Sequence, residues 1–227
     1  MDSRHGLRSN VIGTTGRGDR LLLLIHGYGA DEYDLAGLTP MLDPTGRCFT
    51  VCPRGPIELD FGGAGWYQRS EDGVIDPASL ANSVAALDTL VDELCQQRSS
   101  PRGQAVLIGF SQGGAMALAV ALGRSAKARP AGVACLSGML QTPVGISYLW
   151  DDPDWAPAAT ATSPLPSVYV QHGTQDPMVG IERGRHTRAV LASHGIEAEY
   201  HEYPMGHEIR PESILDLRSW LDRVISS

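Results

Sequence analysis

Three residues far apart in the chain have types and surroundings suited to nucleophilic catalysis. Ser111 stands in "IGFSQGG", flanked two positions away on either side by Gly109 and Gly113. A G-x-S-x-G stretch between an apolar run and a helical pattern lifts a hydroxyl onto a sharp strand-to-helix turn, and its glycines remove the Cβ atoms that would crowd the turn. A neutral hydroxyl is a weak nucleophile and needs a base oriented by a carboxylate. For a serine on such a turn, the acid is expected later in the chain and the histidine last. Asp176 in "HGTQDPMV" follows a strand-like run that ends at His172, and His207 in "YPMGHEI" follows the next such run. The other histidines fit less well: His5 and His26 precede the serine, His172 precedes the acid, His186 and His194 fall on or at the end of a helix, and His201 lies inside a strand. Asp151, Asp152 and Asp154 follow the serine without a strand end behind them. The chemistry of Ser111, Asp176 and His207 together is acyl transfer.

An acyl-transfer intermediate carries an oxyanion, which N–H donors must meet. A helix opening at Gln112 offers that residue's backbone amide and the positive end of the helix dipole. The second amide is expected from the loop after an early central strand, which in "LLLLIHGYGADEYD" points to Tyr28. Substrate contacts are expected at Trp66 and Tyr67 of "GWYQ", at Leu140 of "CLSGML" and at Met178.

These residues need a scaffold that brings distant turns to one edge. The segments 20–27, 48–53, 104–110, 131–138, 167–173 and 198–204 read as strands. Several are apolar throughout, as central parallel strands covered on both faces are. Between them, 77–97 repeats Leu80, Val84, Leu87, Val91 and Leu94 as one helical stripe. Further helices are expected over 112–124, 180–193 and 211–225, the last opening at Pro211. Strand–helix alternation with right-handed crossovers predicts an α/β fold: a mostly parallel, doubly wound sheet with helices on both faces. Ligands then bind beyond the carboxyl ends of the strands, where Ser111 falls. Residues up to about 19 are expected to add one or two edge strands. The stretch 139–166 holds five prolines and two tryptophans without a period, and is expected to be a loop or lid insertion in one domain spanning 1–227.

Bulk properties exclude other classes. With 18 Lys and Arg against 26 Asp and Glu, a net charge of −8 and no basic run, the chain is not expected to bind nucleic acid. The same charge mildly disfavours anionic substrates and favours a neutral ester. No run approaches a membrane span, and "LLLLI" at 21–25 is too short for a signal-peptide core, so no stable membrane insertion and a cytoplasmic location are expected. Cys48, Cys52, Cys95 and Cys135 are scattered without a CxxC pair, which points to reduced interior thiols and away from a metal site.

Seven blocks in order, "LIHGYGAD", "PRGP", "GWYQ", "IGFSQGGAMAL", "CLSGML", "VQHGTQDPMV" and "YPMGHEI", make the chain from about residue 20 onward resemble the phospholipase/carboxylesterase family of α/β-hydrolases. The resemblance places the family's nucleophile on Ser111, its acid on Asp176, its base on His207 and its oxyanion amides on Tyr28 and Gln112. It implies a metal-free, cofactor-free fold, a small-molecule ester as substrate and a homodimer. The expected activity is a serine carboxylesterase for short to medium acyl chains. Its rivals are an acyl-protein thioesterase, a lysophospholipase and, outside enzymes, a binding module that kept the fold. The segment 141–166, with Tyr148, Trp150 and Trp155, looks longer and more aromatic than the family's usual link, and is expected to bear on the pocket.

Overall fold

Residues that alternate in side-chain direction but are apolar at every position must be covered twice, and the leucine run near the start is the clearest case. In the computed structural model, which describes residues 6–12, 18–124, 128–141, 145–155 and 164–226, that run is a central strand. The strands are β1 (Ser9–Ile12), β2 (Arg20–Ile25), β3 (Cys48–Pro53), β4 (Ile57–Glu58), β5 (Ala64–Gly65), β6 (Val106–Phe110), β7 (Gly132–Leu136), β8 (Ser167–Gly173) and β9 (Ala198–Tyr203). The helices are α1 (Thr39–Leu42), α2 (Pro77–Gln97), α3 (Gln112–Leu122), α4 (Ile181–Ser193) and α5 (Pro211–Ser226).

Among the described residues the main sheet has seven strands in the order β1-β3-β2-β6-β7-β8-β9. Only β1 runs antiparallel, pairing with β3 from Ser9 opposite Pro53 to Ile12 opposite Thr50. The remaining pairings are parallel. Strand order reverses where β2 meets β6, with Leu23 opposite Leu107. Ligands in such sheets bind at that reversal, beyond the carboxyl ends.

Along β2, Leu21, Leu23 and Ile25 enter one core with α2, α3 and Leu191 of α4. Leu22 and Leu24 enter the other, with Leu42 of α1 and Ile214, Leu217, Trp220 and Leu221 of α5. Two cores, one on each face, explain why the strand carries no polar alternation. Helix α2 begins where Asp76 accepts a hydrogen bond from Ser79 N at 2.8 Å and Pro77 takes the first helical position. Its stripe of Leu80, Leu87 and Val91 is buried. Every residue of α3 is buried, since the helix lies under the sheet and against α2. That confinement accounts for its small Gly and Ala side chains.

The structure departs from expectation at the element ends and in the loops. Strand β2 stops at Ile25 and β7 at Leu136, short of the expected 27 and 138, which frees His26 and Ser137 for loop conformations. The N-terminal segment supplies one edge strand among the described residues, and the short α1 and the β4–β5 hairpin carry too few residues for a readable period. In the proline-rich stretch, Leu149–Asp151 form a helical turn closed by Tyr148 N donating to Asp151 at 2.7 Å. Trp150 stacks between Tyr148 and His194 with both centroid distances at 4.7 Å. The described part of this stretch is thus held against the end of α4, while 142–144 and 156–163 of the expected lid lie outside the described residues.

All four cysteines are free and buried. Burial pushes the thiols of Cys48, Cys52 and Cys135 up to about 12 and that of Cys95 to about 11. Among the described residues no helix is long and apolar enough to cross a membrane.

Candidate active site

Ser111 sits between β6 and α3 with φ 54° and ψ −117°, a left-handed conformation for a residue with a side chain. Such backbone costs on the order of 1–3 kcal/mol and persists only where the surroundings over-determine it. Here a Cβ on Gly109 would collide with the Gly113 carbonyl, and one on Gly113 with the Ile25 carbonyl. Glycine is therefore required on both sides of the serine. The turn is also tied to the neighbouring strand, as Ser111 N donates to Leu136 O at 2.8 Å.

Asp176 and His207 arrive from the loops after β8 and β9. The Asp176 carboxylate is buried and accepts from Met178 N at 2.9 Å, from Val179 N at 2.8 Å and from His207 Nδ1 at 2.7 Å. With Nδ1–H committed to the carboxylate, Nε2 of a neutral His207 is the basic nitrogen. The imidazole packs on Phe110 at 4.8 Å, one residue before the serine. Ser111 and His207 line one cleft. Their side chains are not hydrogen-bonded in this resting geometry, and contacts of this kind tighten when substrate arrives.

A second histidine stands behind the acid. His172 is fully buried, donates Nε2–H to Val179 O at 2.6 Å, and lies 3.6 Å from Asp176 Oδ2. It braces the 176–179 turn. Chain order had set it aside as a base, and its spacing of four residues before Asp176 was the available signal of a supporting role.

The two oxyanion candidates also converge on the cleft. Among the described residues, the backbone amides of Tyr28 and Gln112 make no hydrogen bond to the protein, and both residues line the cleft. The loop carrying Tyr28 rests on His26, which is buried, donates Nδ1–H to Gly27 O at 2.6 Å and accepts from Gly55 N at 3.0 Å. That pattern requires neutral imidazole, and burial lowers the His26 pKa from its usual value. The β4–β5 hairpin is laced to the same loop by Gly29 N to Ala64 O at 2.9 Å and Ala64 N to Ala30 O at 2.7 Å.

The Gln112 side chain has a role beyond its backbone amide. Its Oε1 accepts from Trp66 N at 2.7 Å and its Nε2 donates to Tyr67 O at 2.9 Å, so one buried amide joins the serine turn to the segment after the hairpin. Trp66 requires a correction as a substrate contact. It is fully buried, donates Nε1–H to His26 O at 2.9 Å, and supports the oxyanion loop from beneath. Leu140 likewise stands behind the wall, its N–H donating to Thr187 Oγ1 at 2.9 Å.

The cleft, about 970 Å³ in volume, is bordered by Tyr67 and Met178 as anticipated, and also by Met139 and by 57–61 of the hairpin loop. Phe61 and Met178 are 73% and 76% exposed, so the rim presents apolar side chains to solvent. Of the stretch 141–166 expected to bear on the pocket, Gln141 lines the cleft while Trp150 and Trp155 do not; Tyr148 OH donates to Gln141 O at 2.8 Å and Gln141 Nε2 to Tyr67 OH at 3.0 Å, which ties the tryptophan-bearing turn to the wall. Among the described residues no group of His, Cys, Asp and Glu is arranged to hold a metal ion.

A family model described as Phospholipase/Carboxylesterase matches residues 8–225. The chain is 34% identical over 217 residues to acyl-protein thioesterase 1 of Gibberella zeae, covering 88% of each chain. It is 29% identical over 228 residues to the protein of the same name from Mycosarcoma maydis, covering 90% of each. In structure it resembles a carboxylesterase from Mesorhizobium loti with a TM-score of 0.78 and 22% identity, over 95% of this chain and 94% of that one.

Proposed function

Because the chain belongs to the phospholipase/carboxylesterase family, a family of α/β-hydrolases, we propose that it is a serine carboxylesterase that hydrolyses carboxylic esters of short to medium acyl chain. The observation that carries this reading is the meeting of a strained Ser111, φ 54°, with a His207–Asp176 pair bonded at 2.7 Å in one cleft.

In the proposed reaction, Ser111 Oγ attacks the ester carbonyl while His207 Nε2 takes its proton. The tetrahedral oxyanion is met by the amides of Tyr28 and Gln112, and Asp176 holds the imidazolium. The carbon–oxygen bond to the alcohol then breaks, His207 returns the proton to the departing alkoxide, and an acyl-serine remains. Water repeats the sequence on the acyl-serine, yielding the carboxylic acid and free Ser111. Side chains, backbone amides and water suffice for every step. The free, buried cysteines support a reducing, cytoplasmic setting for the protein.

Replacing Ser111 by alanine tests the reading directly. Turnover of p-nitrophenyl butyrate is expected to fall on the order of a millionfold. Full retention of activity would overturn the assignment. A thioesterase is the second reading, favoured by the two relatives named for that activity. Matched oxygen and sulfur esters of one acyl group separate the two, and a strong preference for the sulfur ester decides for the thioesterase.

A further inference from the structure

Arginines in this acidic chain are commonly matched with carboxylates. Arg47 pairs with Asp43 and Asp222, Arg54 with Glu32 and Glu58, Arg102 with Asp88 and Asp92, and Arg185 with Glu182 and Glu202. Two arginines on the cleft wall depart from this pattern. Among the described residues neither Arg69 nor Arg183 forms an ion pair, although both line the cavity that contains Ser111 and His207. They come from separate elements: Arg69 follows Tyr67 in the segment before α2, and Arg183 lies in the first turn of α4. The Arg69 guanidinium lies 5.6 Å from the Tyr67 ring centroid and donates to Tyr67 OH at 3.4 Å, contacts that orient it without neutralising it.

The carboxylates on the same wall do not cancel them. Glu58 is bound by Arg54 and Arg8, and the Arg54 guanidinium holds its carboxyl down at about 2. Asp60 is the lining carboxylate left without an ion pair among the described residues, against two unmatched guanidiniums. The net charge of −8 describes the whole chain and not this cavity. Both arginines are exposed at the rim of the cleft, where a neutral, apolar ester gains nothing from them, whereas an anion supplies charge-assisted and bidentate hydrogen bonds.

On the serine-esterase reading above, we infer that the ester hydrolysed here carries a second, anionic group, a carboxylate or a phosphate set apart from the scissile carbonyl, and that Arg69 and Arg183 bind it. The two arginines are then binding residues that choose among esters, while Ser111 and His207 perform the same acyl transfer on all of them.

The test measures kcat/KM for length-matched pairs by continuous acid titration. In one arm monoethyl glutarate is set against ethyl pentanoate; in the other, 1-butanoylglycerol 3-phosphate is set against 1-butanoylglycerol. Wild type, Arg69→Gln and Arg183→Gln are compared. In the arm whose anion matches the natural one, wild type should prefer the anionic ester, and each variant should reduce the anionic-to-neutral ratio by roughly tenfold, the scale of a hydrogen bond between charged groups. The arm that responds identifies carboxylate or phosphate. Ratios unchanged by both substitutions in both arms overturn the inference while leaving the esterase reading intact. A Ser111→Ala protein that still hydrolyses the neutral esters overturns the reading and the inference together.

Discussion

At the floor of the cleft, Asp176 accepts three hydrogen bonds, His207 is bonded and packed on Phe110, and Ser111 is held in a left-handed conformation by the glycines around it. At the rim, Phe61 and Met178 stand mostly in solvent, and Arg69 and Arg183 have no carboxylate partner among the described residues. The protein fixes the acid, the base and the serine backbone of the floor before any substrate arrives and leaves the oxyanion amides of Tyr28 and Gln112 open, which is what electrostatic preorganisation requires. It leaves the rim's contacts unmade. Floor residues are therefore expected to govern turnover and stability together, and rim residues to govern the choice of substrate with little effect on folding.

Among changes that leave Ser111, Asp176 and His207 intact, the largest effect should come from Gln112→Ala. This change keeps the backbone amide but deletes the side chain that joins Trp66 N and Tyr67 O to the serine turn. Both partners are buried, and a buried group left unpaired costs about 1–3 kcal/mol. A shift of the turn by a fraction of a bond length should also lower kcat by roughly tenfold to a hundredfold, with KM changing far less. Thermal unfolding and steady-state kinetics on a short ester check both parts. A variant with normal kcat and reduced stability would make the amide a structural strut only.

This division also separates what was readable in the sequence from what was not. The strand–helix frame was readable because burial on both faces leaves an unbroken apolar run, as at Leu21 to Ile25, and because α2 repeats its stripe from Pro77 to Gln97. The placement of Ser111, Asp176 and His207 at one edge was readable because each follows a strand end in a parallel sheet. Gln112's side-chain role was not, since its partner Trp66 lies 46 positions away and is met through backbone atoms that leave no residue preference. Trp66 was taken for a pocket wall because an aromatic residue near a reactive edge fits either face of a loop, and only the Nε1–H bond to His26 O decides which. The 57–61 wall was missed because strands of two residues cannot show a period.

A smaller effect is expected at His26, which lies under the floor. Its folded pKa is lowered, first by burial, so the unfolded chain takes up a proton below about pH 6.5 that the folded protein resists. The unfolded state then binds more protons, so stability decreases as the pH is lowered. The neutral ring's full contribution is present above the unfolded pKa and is lost as pH drops toward the folded one. His26→Gln should lower stability at pH 7.5 by about 1 kcal/mol through altered hydrogen bonding. It should also flatten the decline in melting temperature between pH 7 and pH 5. Parallel declines in variant and wild type would show that His26 is not the group responsible.

Phe61→Ser provides the smallest and sharpest test of the rim. The ring is 73% exposed, and its aromatic contact is Tyr28 at 6.2 Å, so removing it takes little from the fold; stability should stay within about 0.5 kcal/mol of wild type. An exposed ring at the mouth of the cleft gains burial only when an acyl chain covers it. The loss in kcat/KM should therefore grow with chain length, staying near wild type for an acetyl ester and reaching up to about fivefold for a hexanoyl ester, less than about 1 kcal/mol of binding. A length-independent loss would mean that Phe61 acts on the reaction itself through Tyr28, whose amide is the proposed oxyanion donor, and the boundary between floor and rim would have to be moved outward to include the hairpin loop.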